Sequence, residues 1–126
     1  MAIKKINSSL PMEKQIGYSR AIVAGNFLFV SATAPVDDNM NVIGKDGKEQ
    51  LAYVVEKLTP ILEEAGFTFD DTIAVKLYQV DLPQTPSAYE TFAKVFGKAA
   101  PVIAVAHVTP WPNGMLLELE LTAYHE

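Results

Sequence analysis

The run Ala-Pro-Val-Ile-Ala-Val-Ala-His-Val, residues 100–108, sets one histidine among apolar neighbours. Two roles compete for His107: a titrating group at the mouth of a site, and a partly exposed residue of a strand. Glu118 is a second polar residue in apolar company, within Met-Leu-Leu-Glu-Leu-Glu-Leu-Thr-Ala-Tyr. Alternation puts Glu118 and Glu120 on one face of a strand and Leu117, Leu119 and Leu121 on the other. A carboxylate there faces solvent, a partner subunit or a pocket, and burial would raise its pKa towards that of a working base. Tyr18 and Ser19 follow Gly17, so a phenol and a hydroxyl lie beside a flexible backbone point. Trp111, the chain's one tryptophan, stands between Pro110 and Pro112 in a rigid turn. Each has a structural alternative: an outward glutamate on a half-solvated strand, a tyrosine capping the core, a tryptophan covering a sheet edge.

Composition limits the chemistry available. The 126 residues are 49% hydrophobic and 20% charged, enough apolar mass for one domain over residues 1–126 with its own core. The net charge of −5 and the scattering of the ten lysine and arginine residues disfavour nucleic-acid binding. With no cysteine, thiolate metal sites, disulfides and cysteine nucleophiles are excluded. The two histidines show no metal-ligand spacing, and the dispersed glycines form no phosphate loop, so no metal and no cofactor is expected. The basic start lacks the apolar stretch of a secretory signal, and no run approaches the roughly 18 apolar residues of a membrane span. The expectation is a cytoplasmic protein with no membrane partner.

The elements that would hold these residues can be read from periodicity. Ala21–Ala24 and Phe27–Thr33 flank Gly25-Asn26, the signal of a tight hairpin. Residues 37–48 read as an exposed loop. Leu51, Val54, Val55, Leu58, Ile61, Leu62 and Ala65 fall on one helical face, with Gly66 as C-cap and Pro60 as a kink. Residues 71–82 alternate as a strand, with Ile73, Val75, Leu77 and Gln79 opposite Ala74, Lys76, Tyr78 and Val80. A second helix begins near Pro86, places Tyr89, Phe92, Ala93 and Phe96 on one face, and ends at Gly97. Strands over 102–108 and 115–124 complete an α+β fold, one mixed sheet with both helices on one face.

These segments together resemble the Rid family, also called YjgF or the L-PSP endoribonuclease-like family, from about Ile16 to Tyr124. Gly-Tyr-Ser-Arg-Ala-Ile is similar to the family's Gly-Pro-Tyr-Ser-Gln-Ala opening, and Leu-Phe-Val-Ser-Ala-Thr-Ala-Pro to its strand ending in Ser-Gly-Gln. Residues 49–82 match its first helix, Ala-Gly turn and third strand, which closes on Asp81. Leu-Leu-Glu-Leu-Glu-Leu-Thr-Ala resembles its last strand. The resemblance implies a chorismate-mutase-like fold assembled as a homotrimer, with small-molecule clefts between subunits.

The same resemblance assigns site positions. It implies Glu118 as the group that positions the attacking water, and ligand contacts from Tyr18, Ser31, Ala32, Tyr89, Ile103 and His107. Four of the family's residues are replaced: its proline is Gly17, its glycine Ala32, its helix asparagine Tyr89, and its substrate-carboxylate arginine, two residues beyond Pro101, Ile103. An apolar side chain cannot replace a guanidinium fork. His107, four residues along the same strand, and Arg20 are the candidates to supply a cation instead. Two functions follow: hydrolytic deamination of an enamine or imine with Glu118 orienting water, or a non-catalytic trimer that binds a small metabolite. Ribonuclease activity, which the family's older name suggests, is disfavoured by an acidic chain without a basic stripe.

Overall fold

The structure is a computed structural model and describes residues 2–126. The chain runs β1 (Ile3–Ile6), α1 (Pro11–Ile16), β2 (Ala21–Ala24), β3 (Phe27–Thr33), α2 (Gly47–Ala65), a short 3-10 turn (Phe69–Asp71), β4 (Thr72–Gln79), α3 (Ala88–Phe96), β5 (Val102–His107) and β6 (Leu117–Tyr124). The six strands form one sheet in the order β1-β2-β3-β6-β4-β5. Only β4 and β5 pair in parallel. Both β3 and β4 run antiparallel to β6, so the β3-α2-β4 and β4-α3-β5 connections are two crossovers stepping the same way across the sheet. Right-handed crossovers in one direction deliver both helices to the same face.

The layer between helices and sheet is filled by β6's Leu117, Leu119, Leu121 and Ala123, each at most 3% exposed, and by Leu51, Val54, Leu58 and Leu62 of α2. The alternation on β6 is as expected, and Glu118 and Glu120 lie on the opposite, helix-free face. α2 is capped by Asp46, whose side chain accepts from the Glu49 N–H, five residues before the first apolar position of the periodic pattern, Leu51. It continues through Pro60 to the left-handed Gly66. Among the described residues no helix is long and apolar enough to cross a membrane.

Several expectations need correction. β1 and α1 are absent from the periodicity reading, because four- and six-residue elements are too short to establish a period. Ile73 is exposed while Val75, Leu77 and Gln79 are buried, since an irregularity between Thr72 and Ala74 in the β4–β6 pairing resets the alternation. On α3, Ala93 and Tyr89 are exposed, and the buried positions are Ala88 and Phe96. The expected loop at 37–48 is tied by a Val36–Val42 bridge, and its last two residues belong to α2.

Helix α1 matters out of proportion to its length. Its Glu13 is 1% exposed, and its carboxylate accepts hydrogen bonds from Asn7 Nδ2, the Ser8 N–H, Ser8 Oγ and, at 3.0 Å, Arg20 Nε. Gly17, at φ 96°, lets the Gly17 and Tyr18 N–H groups both reach the Glu13 carbonyl at 2.9 Å, which turns the chain straight into β2. Burial alone would raise the Glu13 pKa, but the bonds from Ser8, Asn7 and Arg20 outweigh it and hold the carboxyl below its usual range. A depressed folded-state pKa contributes stability above the unfolded value, lost as pH falls through the folded one. Glu13→Gln should therefore cost about 3 kcal/mol at neutral pH by leaving Arg20 buried and uncompensated. Denaturant titrations should show that gap narrowing on acidification below the ordinary carboxylate range; a gap constant with pH would contradict the assignment.

Candidate functional site

Arg20 extends the Glu13 contact into the sheet. Its Nη1 donates to the Ala32 carbonyl at 2.9 Å and to Thr33 Oγ1 at 3.0 Å, and its Nη2 donates to the Tyr18 hydroxyl at 3.1 Å. The receiving backbone is a bulge: between the Val30–Leu121 and Thr33–Leu119 pairs, Ser31 and Ala32 together oppose the single residue Glu120. Such a bulge re-aims a strand, and here it turns the Ala32 carbonyl towards the guanidinium. Ser31 Oγ donates to the Ser19 carbonyl at 2.7 Å.

Beyond the bulge is a cavity of about 260 Å³, with Tyr18, Arg20, Ala32, Lys57, Trp111 and Glu118 in its walls. Lys57 spans from α2 and donates to the Ala34 and Val36 carbonyls at 2.9 and 2.7 Å. Burial, reinforced by Arg20, pushes its pKa down. Glu118 is half-buried, and no ion pair or hydrogen bond from the described residues satisfies its carboxylate. Its pKa is raised by burial, with Arg20 and Lys57 opposing the shift through their charge. The expected raised pKa is thus present even though an arginine stands nearby. No hydrogen bond joins Tyr18 to Glu118; the Tyr18 hydroxyl accepts from Arg20. Glu120, on the same face, accepts from the Tyr78 hydroxyl.

The site residues inferred from the sequence fall into two groups. Tyr18, Ala32 and Glu118 share the cavity, while Ser31 supports it from behind. Ile103, Val105 and His107 lie on β5, in register with Val75, Leu77 and Gln79, whose side chains turn towards the helices. Glu118 pairs with Tyr78 on the other face, and β4 separates β6 from β5. Ile103 is 46% exposed and lines a separate shallow cavity of about 310 Å³ with Lys76, Val102 and Glu120. His107 is exposed, and the Tyr89 hydroxyl accepts from Gln79 Nε2 at 3.0 Å. Within one chain these three do not approach Glu118. Lys57 was not legible as a site residue; its only signal is a lysine flanked by Val54, Leu58 and Ile61 on the buried side of α2.

A larger open cavity of about 630 Å³ lies on the other side of Lys57, against Asn7, Asp37, Asp38 and Glu64. Asp37 there is occupied in accepting the Asn39 and Asn41 N–H groups, and no cluster of three potential metal ligands occurs among the described residues.

Comparison with known proteins places the fold and the sequence together. The family model described as endoribonuclease L-PSP matches residues 11–125. A RutC family protein of Pyrococcus horikoshii is 39% identical over 115 residues, covering 90% of this chain and 91% of the relative. A RutC family protein of Saccharolobus solfataricus is 32% identical over 123 residues, covering 96% and 98%. The crystal structure of a YjgF family member from Mycobacterium tuberculosis superposes with a TM-score of 0.84 at 28% identity, covering 98% of this chain and all of the other. With its sheet order, its paired crossovers and the matched sequence from α1 to the end of β6, the chain belongs to the Rid/YjgF family of endoribonuclease L-PSP-like proteins.

Proposed function

We propose that this protein binds a small metabolite at the Glu118 cavity and hydrolyses an enamine or imine there, with Glu118 positioning the attacking water. The observation that carries the reading is an unpaired, half-buried carboxylate with a raised pKa in the wall of a cavity. In its ionised form Glu118 accepts a proton from water as the water oxygen bonds to the imine carbon. The imine nitrogen takes up a proton from solvent to give a carbinolamine; Glu118 then passes its proton to that nitrogen, ammonia leaves as the C–N bond breaks, and the hydroxyl proton goes to solvent to leave an aldehyde or ketone. Tyr18 uses its oxygen to accept from Arg20, which leaves its own O–H free to donate to that nitrogen.

Ile103, where the family carries an arginine, argues against a substrate held by its carboxylate. Turnover is therefore expected to be weak on 2-aminoacrylate and 2-iminobutanoate and faster on a carboxyl-free imine, such as that formed by an amine oxidase from n-butylamine. Ammonia and carbonyl release above the buffer rate is the measurement. Glu118→Gln, which keeps shape and removes the base, should lower that rate about 10²-fold or more. The acid limb of the pH profile should lie above the ordinary carboxylate range, because only ionised Glu118 accepts the proton. If no imine is hydrolysed faster than in buffer, the second reading, a non-catalytic binding protein, takes over; the absence of the arginine is what favours it.

The assembly belongs to the same proposal. The helix-free face of the sheet exposes Phe27 at 40% and Phe29 at 48%, stacked on one another and beside Tyr124, and β5 exposes Val102 at 73%. Contiguous apolar surface of this kind marks an interface. A homotrimer would cover it and would let Ile103, His107 and Tyr89 of one subunit approach the Glu118 cavity of another. Sedimentation equilibrium at micromolar concentration should give three times the 13.8 kDa chain mass; a monomer would remove the inter-subunit cleft from the account.

A further inference from the structure

All three methionines of the chain other than Met1 line the Glu118 cavity, and so does its one tryptophan. They come from four separate places: Met12 from α1, Met40 from the loop between β3 and α2, Trp111 from the loop after β5, and Met115 just before β6. Methionine is unbranched and polarisable, conforms to irregular partners and makes favourable contacts with aromatic rings. The cavity, at about 260 Å³, exceeds the roughly 150 Å³ of an apolar cavity that accepts benzene. It has room for a ring and for the few atoms of an imine beside Glu118. A ligand as small as 2-aminoacrylate would leave most of this lining uncovered.

Met40 supplies an independent observation. Its φ is 66°, in the left-handed region that a long side chain rarely occupies. The turn that holds it is over-determined. The Asn39 and Asn41 N–H groups both donate to Asp37 Oδ1 at 2.9 Å, the Met40 N–H donates to the Asp37 carbonyl at 3.0 Å, and the Asp37 N–H donates to the Asn41 carbonyl at 2.9 Å. Glycine or asparagine would satisfy the backbone there more easily, and Met40 remains 42% exposed, so the core does not require it either. Strain retained in this way is characteristic of ligand clamps.

We infer that the cavity selects ligands carrying an apolar side chain the size of an aryl ring, with Met12, Met40, Met115 and Trp111 as the specificity-determining surface. The inference deepens the reading of Glu118 as the hydrolytic group and depends on it only for which end of the ligand faces that carboxylate.

Four carbonyl compounds in a two-by-two design separate the two ideas: acetone, phenylacetone, pyruvate and phenylpyruvate, titrated calorimetrically into the whole protein. Each aryl compound should bind at least about tenfold more tightly than its methyl counterpart, with or without the carboxylate, as burial of a ring predicts. Met40→Gly, which suits the backbone at that φ, should preserve the melting temperature and weaken phenylacetone about fivefold or more while leaving acetone unchanged. Glu118→Gln should retain the aryl preference while losing turnover. An aryl-to-methyl ratio below tenfold overturns this inference even if small imines are hydrolysed. A preserved ratio without hydrolysis of any imine upholds it and removes the catalytic reading instead.

Discussion

The arrangement around the cavity depends on one buried ion pair. Glu13 and Arg20 meet at 3.0 Å with side chains almost wholly out of solvent, and each has further partners that make the burial tolerable. The carboxylate gathers the turn after β1 through Asn7 and Ser8, and the guanidinium gathers the β3 bulge through Ala32 and Thr33. Desolvating two charges is expensive, and the cost is recovered only when nearly every donor and lone pair is used. That condition is met here on both sides. Its consequence is positional: Tyr18, Ala32 and the end of β3 are fixed relative to one another before any ligand arrives.

Glu118 is the counterpart that no such network satisfies. It occupies its place because β6 must present leucine to the helices at every second position, which sends the intervening residues to the other face. Glu120 on that face finds Tyr78. Glu118 finds a cavity, two cations at a distance sufficient to lower its pKa but not to pair with it, and enough burial to raise the pKa overall. A carboxylate of this kind is a poor structural element and a candidate functional one, and the contrast with Glu13 makes the point within a single chain.

Much of this was legible in the sequence where periods are long. The Gly25-Asn26 hairpin, the apolar face of α2 and the alternation of β6 depend on repeated local choices, and the structure reproduces them. The face of Glu118 and its raised pKa followed from that alternation. What could not be read are features set by pairing between distant segments. The bulge at Ser31 and Ala32, the irregularity that exposes Ile73, and the reach of Lys57 from α2 to the Ala34 and Val36 carbonyls have no local signature. The convergence of Met12, Met40, Trp111 and Met115 on one cavity is likewise invisible until the chain is folded.

The same geometry bears on whether Arg20 can replace the arginine that Ile103 displaces. A bidentate carboxylate clamp requires two parallel N–H groups from different nitrogens. Of the five that Arg20 carries, Nε is given to Glu13, both on Nη1 go to Ala32 and Thr33, and one on Nη2 goes to Tyr18. A single N–H remains, and freeing a second would strand Glu13 or reopen the bulge. Lys57, with two of its three N–H groups spent on carbonyls, offers one more but as an isolated point. His107 lies at the far side of β4, on the face turned towards the helices. No fork is therefore available to a carboxylate within the chain. Arg20 is thus committed to the fold, and on the reading proposed above the surface left to recognise a ligand is the apolar part of the cavity wall.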